Sequence, residues 1–244
     1  MPSGEFLLVC GAILLVAFLY SAVGHAGASG YIAVLTLFGY TAEVIRPIGL
    51  VLNILVASIG VVQFARAGHF TWRLFWPFAV LAVPLAFVGG YVTLPTHWLK
   101  VLIGAVLQAS AIQFGRTAAP DREVRAPATG VAVAVGGGLG LLAGLTGTGG
   151  GIFLTPLLIL LRWARTKQAS AVSALFILVN SLAGLAGNVT ATKAFPTFAL
   201  SFVAVAGVGG LTGSYLGSSR FDVTVIKRLL AVVLLIAGLK LVLT

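Results

Sequence analysis

Gly144-Leu-Thr-Gly-Thr-Gly-Gly-Gly151, followed by Ile152-Phe-Leu-Thr-Pro156, is the stretch on which the reading of this chain turns. Five of its first eight residues are glycine, and both flanks, residues 131–145 and 152–161, are apolar enough to lie in lipid. In a soluble protein such a segment would suggest a phosphate loop. Here no Gly-Lys-Ser/Thr follows and no strand precedes, so a nucleotide fold fits poorly. Glycine-rich backbone at membrane depth is tolerated only where protein buries it or where it lines a cavity. An earlier segment, Gly24-His-Ala-Gly-Ala-Ser-Gly30, looks like its counterpart.

Composition sets the class. Of 244 residues, 59% are hydrophobic and 8% charged, against about 25% charged in soluble domains. The apolar runs are too long and too many for one anchor. They are continuously apolar rather than alternating, which argues against a β-barrel. The expected class is an all-α polytopic membrane protein. The net charge of +10 is spread thinly over loops, so topology and anionic headgroups account for it better than nucleic acid does. The single cysteine, Cys10, excludes an intramolecular disulfide and a multi-cysteine metal site. Met1-Pro-Ser-Gly-Glu5 lacks the cationic start of a signal peptide, so the first helix is expected to be retained.

In order, a helix is expected over 6–23, then the first glycine segment, then a piece over 31–40. Ten residues are too few to span, since about 20 are needed. A polar break at 41–47 carries Glu43 and Arg46, read as a solvated pair. Spans follow at 48–64, 74–94 and 101–114, with kinks expected at Pro77 and Pro84. A polar linker occupies 116–128. The pattern then restarts with 131–145, the glycine loop, 152–161, and spans at 169–189, 198–216 and 229–243. His69 and His97 fall in loops and are expected to be solvated.

The two halves match in order. Gly24 and Gly27 align with Gly147 and Gly150 at a shift of 123. Gly89-Gly-Tyr-Val92 aligns with Gly213-Ser-Tyr-Leu216 at 124, and Asn53, Ala57 and Gly60 with Asn180, Gly184 and Gly187 at 127. The chain therefore divides into a first repeat (1–115), a cytoplasmic linker (116–128) and a second repeat (129–244).

Charge chooses the topology. If each first helix and half-helix form one broken crossing, the cations divide seven to eight, with no bias. If they form a hairpin that returns to its starting side, eleven share one face: Arg66, Arg73, Arg116, Arg122, Arg125, Arg162, Arg165, Lys167, Arg220, Lys227 and Arg228. Arg46, Lys100, Lys193 and Lys240 take the other. The richer face is cytoplasmic by the positive-inside rule, which puts both termini in the periplasm. Each repeat is then a re-entrant or short helical hairpin plus three transmembrane helices. The repeats are inverted, an arrangement of transporters with a midplane site. Trp72, Trp76, Trp98 and Trp163 fall near span ends, as interfacial aromatics should.

Each hairpin tip opens a half-helix, whose N-terminus offers unpaired N–H groups and partial positive charge. Glycine lets a ligand approach that backbone, and the pair makes an anion site without a buried cation. Gly24, Gly27, Ser29 and Gly30 of one tip and Gly147, Gly149, Gly150 and Gly151 of the other are the candidates. His25 and Thr148 hold equivalent places as hydrogen-bond donors. Asn53 and Asn180 lie inside spans, where an amide either binds substrate or bonds a neighbouring helix. The same glycines could simply pack helices. The acids Glu5, Glu43, Asp121, Glu123 and Asp222 fall in loops or ends, so neither acid–base catalysis nor a metal site is expected. No cofactor is implied.

Gly147-Thr-Gly-Gly-Gly-Ile-Phe-Leu-Thr-Pro156, followed by Ala171-Val-Ser-Ala-Leu-Phe-Ile-Leu-Val-Asn180, resembles the TauE/SafE sulfite-exporter family, also called TSUP. The resemblance covers nearly the whole chain, including Gly68-His-Phe-Thr-Trp-Arg73. The first tip departs from the pattern at His25, Ala26 and Ala33. The resemblance implies a bacterial inner-membrane carrier of a small sulfur-containing anion: sulfite, thiosulfate, sulfoacetate or another organosulfonate. An alternating-access carrier is the leading expectation. An anion channel and a non-transporting membrane assembly factor remain open, as does assembly into a homo-oligomer.

Overall fold

The computed structural model describes residues 3–40, 42–92, 108, 112, 124–192, 197–222, 224–226, 228, 229, 231, 232 and 235. The spans expected at 101–114 and 229–243 lie largely outside these residues, as do His97, Trp98 and most of the linker. What is described is helical, with no strand among the described residues. The helices are α1 (Ser3–Ala22), α2 (Ala28–Leu37), α3 (Ala42–Arg66), α4 (Trp72–Tyr91), α5 (Thr129–Thr146), α6 (Gly151–Leu160), α7 (Thr166–Thr192) and α8 (Val203–Tyr215). A 3-10 turn (Thr197–Phe202) leads into α8, and a π turn (Leu216–Arg220) ends it. Six helical segments among the described residues are long and apolar enough to cross a membrane. The protein is thus an all-α, multi-pass membrane protein. The half-helices α2 and α6 have ten residues each, about 15 Å at the helical rise, half a bilayer core.

Two expectations need correction. α3 begins at Ala42 rather than at 48, so Arg46 and Pro47 are helical. Ala, Glu and Arg all favour helix, and the polar residues of this entry do not break it. The last described span is not one α-helix but the sequence of 3-10, α and π turns just given.

Small residues bring the long helices together. Along α5, Gly136, Gly140 and Gly144 face the backbone of Phe78, Ala82 and Ala86 on α4. A Cβ on Gly140 would stand 2.2 Å from the Ala82 carbonyl oxygen. Along α8 and its π turn, Gly209, Gly213 and Gly217 face Leu14, Phe18 and Ala22 on α1. In both rows a side chain would push the backbones apart, and membrane helices associate through such close approach. α4 packs on α5 and α7, α8 packs on α1 and α3, α3 packs on α7, and each half-helix packs on the helix that follows it. Exchanging α1–α4 with α5–α8 leaves this pattern unchanged.

Loop contacts distinguish the two topologies. The N–H of Arg125, ahead of α5, donates to the carbonyl of Arg162, after α6, at 2.8 Å. The α5–α6 unit therefore returns to the end where it began. Tyr40, after α2, lies close enough to Glu5 that the carboxylate adds to burial in raising the phenol's pKa. Gln168 bonds Thr71 at 3.4 Å, and His69 and Lys167 both bond the Ser218 carbonyl, at 3.1 and 3.3 Å. The broken crossing would place the loop after α3 opposite to those after α6 and α8; the hairpin places these three together. His69 is accordingly half-buried and bonded rather than solvated.

Candidate functional site

The two glycine segments make the same turn. α5 ends on Gly147 in the left-handed region (φ +73°), and α6 starts from Gly150 there too (φ +77°). Their counterparts Gly24 and Gly27 have φ of +78° and +97°. L-residues rarely adopt this region, which is why glycine stands at both pairs of positions. The N–H of Gly147 closes on Ala143 at 2.9 Å and that of Gly24 on Ser21 at 3.0 Å, so each tip caps the helix before it. All of Gly24–Gly30 and Gly147–Gly151 are buried.

Asn53 joins the tips. Its Oδ1 accepts from the Ala28 N–H at 3.1 Å, capping the start of α2. Its Nδ2 donates to the Thr148 carbonyl at 3.2 Å and to Ser181 Oγ at 3.3 Å. The side chain is fully buried and its amide is engaged at both ends. A second link is the 2.8 Å bond between His25 Nε2 and Thr155 Oγ1 on α6. α7 adds a third, because Ser170 Oγ donates to the Val23 carbonyl at 2.8 Å. The two hairpins therefore meet in the interior, with α3 and α7 on either side.

Several candidates are already occupied. Ser29 Oγ donates to Tyr20 Oη at 2.9 Å. Thr146 Oγ1 donates to the Leu142 carbonyl, so Thr148 supplies the proton in the 2.8 Å bond between the two threonines. Gly30, Gly149 and Gly151 serve packing: a Cβ would meet Val16, Asn53 with Ser181, and Ile177 respectively within 2.9 Å.

Other groups are buried without a partner among the described residues: His25 Nδ1, Tyr31 Oη, Arg46 Nε, Ser173 Oγ and both amide atoms of Asn180. Asn180 is the counterpart of Asn53, yet makes no corresponding bond. It shares a face of α7 with Ser173 and with Ile177, which presses on Gly149 and Gly151. The backbone N–H groups of Ser29 and Gly30 in α2, and of Gly151 and Ile152 in α6, have no intrahelical acceptor, as first-turn positions require. Two positive helix ends with first-turn N–H donors meet at the tips, and the Asn180 amide lies about one turn along α7 from Ile177, an arrangement that suits a small anion.

Sequence reasoning missed Thr155, Ser173, Ser181 and Arg46. Thr155 is the only polar side chain in α6 and lies four residues past Gly151, a signal that was available. Arg46 was assigned to a loop. Its guanidinium instead donates to the carbonyls of Gly89, Gly90 and Val92 at the end of α4, and of Gly144 near the end of α5. Its stem lies against the tip: a Cβ on Gly147 would be 2.8 Å from Arg46 Cγ. A cation at two helix C-termini is favourable through both dipoles.

Two broken hairpins meeting inside a bundle of membrane-spanning helices form the architecture expected of a multi-pass membrane transporter. The chain belongs to the sulfite exporter TauE/SafE family, whose model matches residues 9–241. It is 36% identical over 235 residues to the probable membrane transporter protein y4hK of Sinorhizobium fredii, covering 94% of this chain and 95% of that one. A probable membrane transporter protein of Methanocaldococcus jannaschii, MJ0441, is 24% identical over 215 residues, covering 82% and 80%. No solved structure matches the chain.

Proposed function

We propose that the protein is a secondary transporter that moves a small sulfur-containing oxyanion across the bacterial inner membrane by alternating access. Sulfite, thiosulfate, sulfoacetate and other organosulfonates are the candidate substrates. Residues 1–115 and 129–244 act as inverted repeats joined by a cytoplasmic linker, with both termini periplasmic. The substrate sits between the tips, held by the first-turn N–H groups of Ser29, Gly30 and Gly151 and by the Asn180 amide. His25 and Ser173 complete the shell. Asn53 and Thr148 fix the tips relative to each other.

One observation carries the reading. Asn180 has both amide atoms buried and unpartnered among the described residues, while Asn53, its counterpart, is bonded at both. A buried amide without partners costs several kcal/mol in an apolar setting (about 2–7), and a bound oxyanion, accepting from Nδ2–H, would relieve the share of that cost carried by the donor. The described carboxylates Glu5 and Asp222 lie at helix ends, away from the tips. A coupling proton would travel on His25 or on the substrate, and passive uniport is the alternative.

Thermal unfolding of the detergent-purified protein tests the reading. Sulfite or a sulfonate should raise the midpoint, while sulfate and simple carboxylates should not. No shift with any sulfur oxyanion would favour glycines that only pack helices.

A further inference from the structure

A groove of about 520 Å³ opens where α4 and α5 begin and α6 turns into α7. Arg73, Trp76, Pro77, Thr129, Trp163 and Gln168 are among its walls. It plays no part in the tip site. Its polar end is cationic. Arg73 lines it, Arg125 lies between two lining residues, and Arg162 and Arg165 flank Trp163; all four arginines are exposed. The Arg125–Arg162 backbone bond holds two of them at one edge. Arg162 has φ +59°, the left-handed region that an arginine rarely enters, so the turn holds it in a conformation its own preferences disfavour. No carboxylate lines the groove among the described residues. The other end is apolar. Trp76 is 40% exposed, and the strip continues along α4 through Val80 and Phe87, 58% and 39% exposed.

We propose that this groove binds an anionic phospholipid, its headgroup phosphate against Arg73 and the Arg125–Arg162 edge and its acyl chains along the strip from Trp76. A cationic pocket capped by tryptophans and continuous with an apolar track fits a molecule with a charged head and long tails. A free phosphate would use only the first part. Each arginine near an anionic lipid surface contributes about 1 kcal/mol, roughly fivefold in local enrichment. The bound lipid bridges α4 to the second hairpin, so it also favours the hairpin's seating on α4.

The test uses full-length protein with Trp72→Phe, Trp76→Phe and Trp98→Phe, which keeps an aromatic wall at position 76 and leaves Trp163 as the sole tryptophan, in mixed nanodiscs of phosphatidylcholine and phosphatidylglycerol with brominated chains on one lipid at a time. Quenching should report at least about fivefold enrichment of brominated phosphatidylglycerol over phosphatidylcholine. Arg73→Gln and Arg125→Gln should each reduce it, and Arg220→Gln should not. Equal quenching by the two lipids overturns the proposal, as does an Arg220→Gln effect as large as that of Arg73→Gln, which would mean general surface charge. Loss of the enrichment on adding inorganic phosphate would assign the groove to the free ion instead. If the single-tryptophan protein does not fold, native mass spectrometry of the unmodified chain gives the same decision. Retention of phosphatidylglycerol over phosphatidylcholine that Arg73→Gln abolishes supports the site, and equal retention overturns it.

Discussion

Asn53 donates its Nδ2–H to the Thr148 carbonyl at 3.2 Å, fastening a side chain of the first half to the glycine turn of the second. The same amide accepts from Ala28 at the other tip. Its repeat counterpart, Asn180, has no partner at either amide atom among the described residues. Two equivalent asparagines thus do different work, one holding the tips and one left open.

This asymmetry separates stability from transport. Asn53→Leu leaves the Ala28 N–H and the Thr148 carbonyl buried and unbonded, each a penalty of about 1–3 kcal/mol. Its thermal midpoint in detergent should fall well below wild type. Asn180→Leu removes an amide that has nothing to lose here, so its midpoint should match or exceed wild type. The substrate-dependent rise in midpoint should vanish in Asn180→Leu.

Gly24 and Gly39 share a φ of +78°, but their surroundings differ. A Cβ on Gly39 meets nothing within 4 Å, whereas one on Gly24 would lie 2.5 Å from the Ser170 carbonyl oxygen. Gly39→Ala should cost only the left-handed strain, about 1–2 kcal/mol. Gly24→Ala adds a backbone clash and should lose several-fold more folded protein on size-exclusion chromatography.

How far the sequence could be read follows from which signals were local. The glycine turns were legible because left-handed backbone selects glycine at matching positions, Gly24 with Gly147 and Gly27 with Gly150. The hairpin reading came from the bias of cations toward one set of loops, and the Gln168–Thr71 and His69–Ser218 contacts bring three of those loops together. Asn53 was singled out, but its two possible roles differ only in what stands opposite the amide, which spacing does not encode. Arg46 was misplaced because its partners are backbone carbonyls, which leave no residue-type signature. Thr155 and Ser173 were missed because a lone hydroxyl in an apolar helix usually bonds its own backbone.

Arg46 reaches the carbonyls of Gly89, Gly90, Val92 and Gly144 from one planar head. Lysine carries the charge but not the fork. Arg46→Lys should therefore recover only part of the stability lost in Arg46→Gln, which we expect to be about 2–3 kcal/mol. Chemical denaturation in mild detergent, comparing the three proteins, checks the order.

Thr155→Val removes the 2.8 Å partner of His25 Nε2 while keeping the shape of α6. The loss should be about 1 kcal/mol in stability. Because the imidazole then loses its orientation, the apparent substrate affinity should weaken by more than the maximal flux does. An unchanged KM in proteoliposome flux would assign the bond to packing alone.

Gly150→Leu would also silence the tip, but Phe176 and Ala143 stand within 3.0 Å of a Cβ there, so that variant confounds site with fold. Asn180→Leu is cleaner. The most direct measurement is counterflow of radiolabelled sulfite into sulfite-loaded proteoliposomes containing wild type or Asn180→Leu at equal density. Wild type should show rapid, saturable counterflow and the variant none above protein-free liposomes, although its thermal midpoint is undiminished. Counterflow by Asn180→Leu equal to wild type would contradict an oxyanion site between the tips.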